Sequence, residues 1–337
     1  MIYCNLGRTG LRVSAVCLGT WHLPRSKELD EWSIPRIDID ETKKLVKLAV
    51  DNGVNFIDTA NRYHGAMGPV DLNHVGNAER ILGEVLRDYD RESLVIVTKV
   101  AYQMAPWANG EGLSRKHIFW QNRESLKRLG VEYVDVYLAH GPDKETPHLE
   151  TLIAFNDLVR MGKAHYIGSS NFSPEENIDF MELSQTHGLT SFVAIQEAYN
   201  MLDRTIEYAQ VPIARKYNFS VMAYSPLAEG LLSNKYLSGI PEASRATYSQ
   251  SLKTTLTKTN LGKIGELSNL AREKGVTLPQ FALAWILHKQ RALGINIVPI
   301  VGASNSQQLL ENIQALEIQL SEDDIKRAEE IASNVRM

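Results

Sequence analysis

Val134-Asp135-Val136-Tyr137-Leu138-Ala139-His140, residues 134–140, is a β-branched, apolar run that ends where a polar loop begins. Two other stretches have the same form. Asn55-Phe56-Ile57 runs into Asp58, with Tyr63 five residues on, and Leu94-Val95-Ile96-Val97-Thr98 ends on Lys99. Each reads as a short buried strand, and in parallel α/β architectures ligands and catalysis collect at the carboxyl ends of strands. Asp58, Tyr63, Lys99 and His140 then share one rim.

Outward from these three, strand-like runs lie at residues 15–20, 54–58, 94–98, 134–139, 164–168, 193–196, 220–224 and 296–300. Helix-like stretches separate them, with apolar residues three and four apart, as in Leu45, Leu48 and Ala49 or Leu152, Phe155 and Val159. Eight runs alternating with helices fit a closed (β/α)8 barrel, preceded by an opening segment that turns at Gly7-Arg8-Thr9-Gly10 as an N-terminal hairpin. Gly53, Gly130, Gly162, Gly188 and Gly275 each follow a helical pattern, where a left-handed residue ends the helix. Ser173-Pro174-Glu175-Glu176 carries the cap, N1 proline and N3 glutamate of a helix start, and Ser321 with Asp324 repeats the cap. Two long connections, Tyr102 to Ser114 with Trp107, and Pro226 to about Asn260, are candidate lids at the C-terminal face.

At 337 residues with 44% hydrophobic and 23% charged side chains, the chain has globular composition, and barrels of this size form one domain, here residues 1–337. A net charge of -4 carries no polybasic footprint for nucleic acid or acidic lipid, which leaves small-molecule chemistry. No stretch reaches the roughly 18 apolar residues of a spanning helix and the N-terminus lacks a signal-peptide core, so a cytoplasmic protein is expected. Cys4 and Cys17 are too few for a disulfide framework or a cysteine-rich metal site and read as two buried thiols. His64, His74, His117, His148, His165, His187 and His288 show no ligand spacing and read as structural, so no metal is expected.

The rim has a chemistry. A phenol with a reference pKa near ~10 donates poorly at neutral pH until a neighbouring cation lowers it. Lys99 supplies the cation, Asp58 holds the ammonium in place, and His140 donates to a carbonyl oxygen while Tyr63 delivers the proton. Carbonyl reduction needs such an acid and a hydride.

Phe56-Ile57-Asp58-Thr59-Ala60-Asn61-Arg62-Tyr63, Thr98-Lys99 and Asp135-Val136-Tyr137-Leu138-Ala139-His140 resemble the three signature segments of the aldo-keto reductases. The resemblance runs from Leu6-Gly7-Arg8-Thr9-Gly10-Leu11 and Leu18-Gly19-Thr20-Trp21 to Gly302-Ala303-Ser304 and Glu311-Asn312. It implies a (β/α)8 barrel using NAD(P)H, with Tyr63 as acid, Lys99 and Asp58 as its tuning pair and His140 orienting the substrate oxygen. It also puts Ser170, Asn171 and Gln196 on the nicotinamide carboxamide and stacks Tyr224 on the ring, with Ser225 and Leu227 beside it. Gly302, Ser304, Gln308, Glu311 and Asn312 resemble the adenosine segment of the branch that includes potassium-channel β-subunits, which also places Lys235 near the pyrophosphate and Arg245 near the adenine or 2′-phosphate.

Where many reductases carry a Lys-Ser pair and a later Arg for the 2′-phosphate, this chain has Gly302, Ala303 and Gln308, so NADP(H) over NAD(H) rests mainly on Arg245. Glu229, unfavourable beside pyrophosphate, is expected to point to solvent. Trp21 is implied at the substrate mouth, with Trp107 a further pocket candidate, while Trp32, Trp120 and Trp285 read as packing or surface. No Gly-x-Gly-x-x-Gly or Walker-type loop occurs, which argues against a Rossmann or P-loop site. The competing class is a cofactor-binding regulatory subunit using the same site as a redox sensor; a metal-dependent barrel hydrolase lacks a ligand set.

Overall fold

The computed structural model describes residues 1–66, 71–241 and 244–335. Strands β1 (Tyr3–Asn5) and β2 (Arg12–Ser14) form an antiparallel hairpin ahead of the first barrel strand, β3 (Cys17–Gly19). A second hairpin follows, β4 (Arg25–Leu29) with β5 (Pro35–Ile37). Then come β6 (Phe56–Asp58), β7 (Val95–Val100), β8 (Val134–Ala139), β9 (Ala164–Ser170), β10 (Ala194–Ala198), β11 (Ser220–Tyr224) and β12 (Ile297–Val301). With β3 these strands form a closed parallel barrel, β12 sealing onto β3 through Ile300↔Cys17 and Val301↔Leu18.

The wall of helices is α1 (Ile39–Asp51), α2 (Asn77–Val85), α3 (Arg115–Leu129), α4 (His148–Arg160), α5 (Pro174–His187), the short α6 (Ile206–Ala209) and α7 (Val211–Tyr217), then α8 (Gln250–Thr255), α9 (Lys258–Glu273), α10 (Leu278–Leu293), α11 (Ser306–Gln314) and α12 (Glu322–Ala332). Their ends obey local chemistry. Ser173 and Ser321 close capping boxes with Glu176 and Asp324, satisfying amide donors that have no intrahelical partner. The five glycines expected to stop helices all have positive φ, between 62° and 82°, a conformation that costs a side-chain-bearing residue free energy.

Barrel strands are covered on both faces, so they read as continuous apolar runs, and the period of two sorts their side chains. Phe56, Val95, Val97, Val136, Leu138, Ala194, Met222 and Val298 pack together inside the barrel. Their neighbours Ile57, Ile96, Tyr137, Ile195, Val221 and Ile297 pack outward with the helices. Leu6 and Val13 of the first hairpin join the inner cluster and plug the N-terminal mouth. There Gly7 (φ 57°) has no room for a side chain, because a Cβ would lie 2.2 Å from the Val193 carbonyl oxygen.

The same alternation fixes the floor of the other mouth. Asp58 is in phase with Phe56, Lys99 with Val97, His140 with Leu138 and Gln196 with Ala194, so four polar side chains top the apolar interior. Lys99 lies within β7 rather than just past it, because pairing with β8 continues to Val100↔Ala139. Two further expectations need adjustment. The stretch from Pro226 is not one open loop: it carries tight turns at Ala228–Gly230, Asn234–Tyr236 and Arg245–Thr247, then α8, before α9 begins at Lys258. Cys4 is half-buried, since its strand is an edge of the outer hairpin, whereas Cys17 is fully buried in the barrel.

Candidate active site

Lys99 is the hub of the rim. Its ammonium donates to Asp58 Oδ2 at 2.7 Å, to the Thr59 carbonyl at 2.8 Å and to Tyr63 Oη at 3.0 Å, which uses all three of its protons. Lys99 is 0% and Asp58 2% exposed, so neither charge is shared with bulk water. Gln196 Nε2 donates to the other Asp58 oxygen at 2.8 Å, which fixes the carboxylate from both ends. Tyr63 sits on the loop after β6, its ring edge-on to Trp21 at 4.7 Å and to His140 at 5.5 Å.

Burial pushes the Asp58 carboxyl above its usual range, and the Lys99 ammonium offsets only part of this. Burial alone would strip the lysine proton, yet Asp58 and Tyr63 outweigh it and raise the Lys99 pKa. The pair is therefore an ammonium held by a carboxylate. Tyr63 departs from the expectation that a neighbouring cation lowers a phenol: burial raises its pKa more than Lys99 lowers it. The phenol thus keeps its proton at neutral pH, and a cation at 3.0 Å is placed where it can stabilise the oxyanion that loss of that proton would leave. His140 is held well below the ordinary histidine range, first by burial and then by Lys99, so it is a neutral imidazole. Its Nδ1 is buried with no hydrogen-bond partner.

A cavity of about 1130 Å³ opens over this rim, lined by Asp58, Tyr63 and His140 and also by Trp21, Tyr102 and Arg62. Ser170, Asn171, Gln196, Tyr224, Ser225 and Leu227 also line it. Gly302, Ser304, Gln308, Glu311 and Asn312, from the β12–α11 connection and α11, lie along its length with Lys235 and Arg245.

The donor set suits a nicotinamide dinucleotide, with one qualification. Asn171 is already engaged: its amide donates to the His140 carbonyl and to Ser170 Oγ, both at 3.0 Å, and its oxygen accepts from Tyr224 Oη at 2.8 Å. The Ser170 hydroxyl proton and the Gln196 amide oxygen are what those residues still offer a carboxamide. Ser304 donates twice to Gln308 Oε1, from N at 3.0 Å and Oγ at 2.9 Å, so that pair forms a preset turn at the far end.

Glu229 does not point away to solvent. Its Oε1 pairs with Arg245 Nη2 at 2.9 Å and its other oxygen accepts from Ser249 Oγ at 3.3 Å, because a left-handed backbone at Glu229 (φ 58°) turns it toward the cavity. Arg245 is thus held in place by a carboxylate. Trp107 is not brought to the cavity: it is 61% exposed and packs on Trp120 at 5.8 Å, pinning its own loop.

Sequence reasoning passed over His22, Arg62, Tyr102 and Glu197. His22 lines the cavity and is held neutral, its pKa lowered to about 3 by burial and by Arg245, Arg25 and Lys235. Glu197, next to Gln196, is raised to about 8 by burial. Lone polar residues at such positions carry no sequence signal. Among the described residues no group of three or more His, Cys, Asp or Glu is placed to hold a metal ion, and no helix is long and apolar enough to cross a membrane.

A model of the aldo/keto reductase family matches residues 15–333. The chain is 36% identical over 337 residues to a Schizosaccharomyces pombe protein whose name is that of a voltage-gated potassium channel subunit beta, with 97% of this chain and 92% of that one covered. It is 35% identical over 324 residues to the L-glyceraldehyde 3-phosphate reductases of two Escherichia coli strains, covering 94% of this chain and 88% of each of theirs.

Proposed function

The chain belongs to the aldo/keto reductase family, and on that premise we propose that it is a single-domain cytoplasmic enzyme that interconverts an aldehyde or ketone with its alcohol using NADP(H). The observation that carries this reading is the buried contact of Lys99 with both Asp58 and Tyr63. When bound, NADPH supplies the hydride for the carbonyl carbon.

The protein's own residues handle the oxygen. Tyr63 gives its proton to the substrate oxygen, and Lys99, 3.0 Å away, stabilises the phenolate that remains. Asp58 keeps the lysine charged and Gln196 keeps Asp58 oriented. His140, a neutral imidazole that lines the cavity, orients the carbonyl oxygen by hydrogen bonding. Trp21 shields one side of Tyr63 and excludes water from it. Ser170 and Gln196 hold the carboxamide while Asn171 positions Ser170 and Tyr224, Tyr224 backs the ring, and Lys235 and Arg245 face the phosphates.

The second reading is a cofactor-binding redox sensor, which the likeness to a protein named as a channel subunit favours. Turnover separates them. A panel of sugars, short aldehydes, dicarbonyls and aromatic ketones, assayed by NADPH and NADH oxidation, should reveal at least one efficiently reduced class. Uniformly slow reduction with tight NADPH binding would favour the sensor.

A further inference from the structure

Arg62 directly precedes Tyr63 and lines the cavity, as do Trp21 and Tyr102. Its Nη1 donates to the Gln103 carbonyl at 2.7 Å, which anchors the guanidinium to the Tyr102–Ser114 segment and, among the described residues, leaves the rest of its five donors uncommitted. Among the described residues Arg62 makes no ion pair, whereas Arg245 is matched by Glu229. Burial lowers the pKa of Arg62, and Asp71, whose charge opposes this, is itself bound to His74 Nδ1 at 2.8 Å. A partly desolvated guanidinium without a paired carboxylate, one residue from the group that protonates the substrate, favours an anion. Glu111 also lines the cavity and works against an anion, but no ion pair joins it to Arg62.

We propose that Arg62 is a specificity-determining residue that binds an anionic group, carboxylate or phosphate, carried by the carbonyl substrate. The proposal rests on the reductase reading of the same site. Lys235 and Arg245 line the cavity from the segment after β11, whereas Arg62 lines it from the loop after β6, next to Tyr63.

Paired substrates test it. Succinic semialdehyde against butanal probes a carboxylate, and glyceraldehyde 3-phosphate against glyceraldehyde probes a phosphate. For at least one pair kcat/KM should favour the charged member by roughly 10- to 100-fold, the scale of a charge-assisted contact. Arg62→Gln should bring that ratio close to one, chiefly through KM, and Arg62→Lys should retain part of it. Calorimetric binding of succinate and of glycerol phosphate to the NADP⁺-loaded protein should weaken in parallel. Ratios near one for the unmodified protein, or a preference that survives Arg62→Gln, overturn the assignment while leaving the reductase reading standing. Absence of turnover with every carbonyl overturns both.

Discussion

Replacing Lys99 with methionine keeps most of the side-chain volume and removes only the ammonium from a fully buried position. What remains is the Asp58 carboxylate, 2% exposed, with Gln196 as its remaining side-chain partner among the described residues. Breaking a buried ion pair from one side costs about 3–5 kcal/mol, because the other charge is left uncompensated. Unfolding entropy is about 2.1 cal/mol/K per residue, or near 0.7 kcal/mol/K for a chain of 337 residues, so the melting temperature should fall by roughly 4–7 °C. The loss should depend on pH with a definite sign. Burial already raises Asp58, and removing the cation raises it further. The folded protein then binds a proton that the unfolded chain, with an aspartate pKa near ~3.9, has released, and stability falls as pH rises between the two values. Thermal unfolding of Lys99→Met should therefore show a larger deficit at pH 8 than at pH 5. A deficit below about 1 kcal/mol, or one equal at both pH values, would refute the claim that the ammonium compensates a buried carboxylate.

Asp58→Asn and Lys99→Met should each cut turnover, but the double variant should lose less than the product of the two, as expected for residues acting as one unit; multiplying losses in steady-state assays would separate them. Arg245→Ala should weaken NADPH binding roughly 10- to 100-fold and NADH binding little, since only the first carries the extra phosphate; equal weakening in fluorescence titrations would assign Arg245 to adenine or to loop support. Glu197 has its folded pKa raised from 4.5 to about 8, so it withdraws stability as pH climbs through that window. Glu197→Gln should flatten the decline, with at most about 5 kcal/mol at stake, and an unchanged pH–stability curve from urea titrations would place the proton elsewhere.

The barrel was legible because double burial makes its strands apolar throughout, and because Asp58, Lys99 and His140 each sit at the phase of two that turns them inward. The capping serines and terminal glycines are local chemistry and read directly. The β4–β5 hairpin was missed: Arg25-Ser26-Lys27-Glu28-Leu29 is mostly exposed and shows no apolar alternation. Pairwise contacts were missed for a different reason. That Glu229 would hold Arg245 and that Gln196 would hold Asp58 depend on loop geometry and on residues more than a dozen positions apart, which periodicity does not encode. The net effect on Tyr63 was misjudged because the sequence names the neighbouring cation but not the depth of burial that outweighs it.

Whether Tyr63 supplies the proton is tested most directly by Tyr63→Phe, which deletes one oxygen and leaves the ring to pack on Trp21. Pre-steady-state oxidation of NADPH with a good carbonyl substrate should slow by roughly 10²–10⁴-fold, the range of general acid catalysis, while the NADPH dissociation constant stays within a few-fold. A variant that reduces the carbonyl at near the original rate would contradict the account.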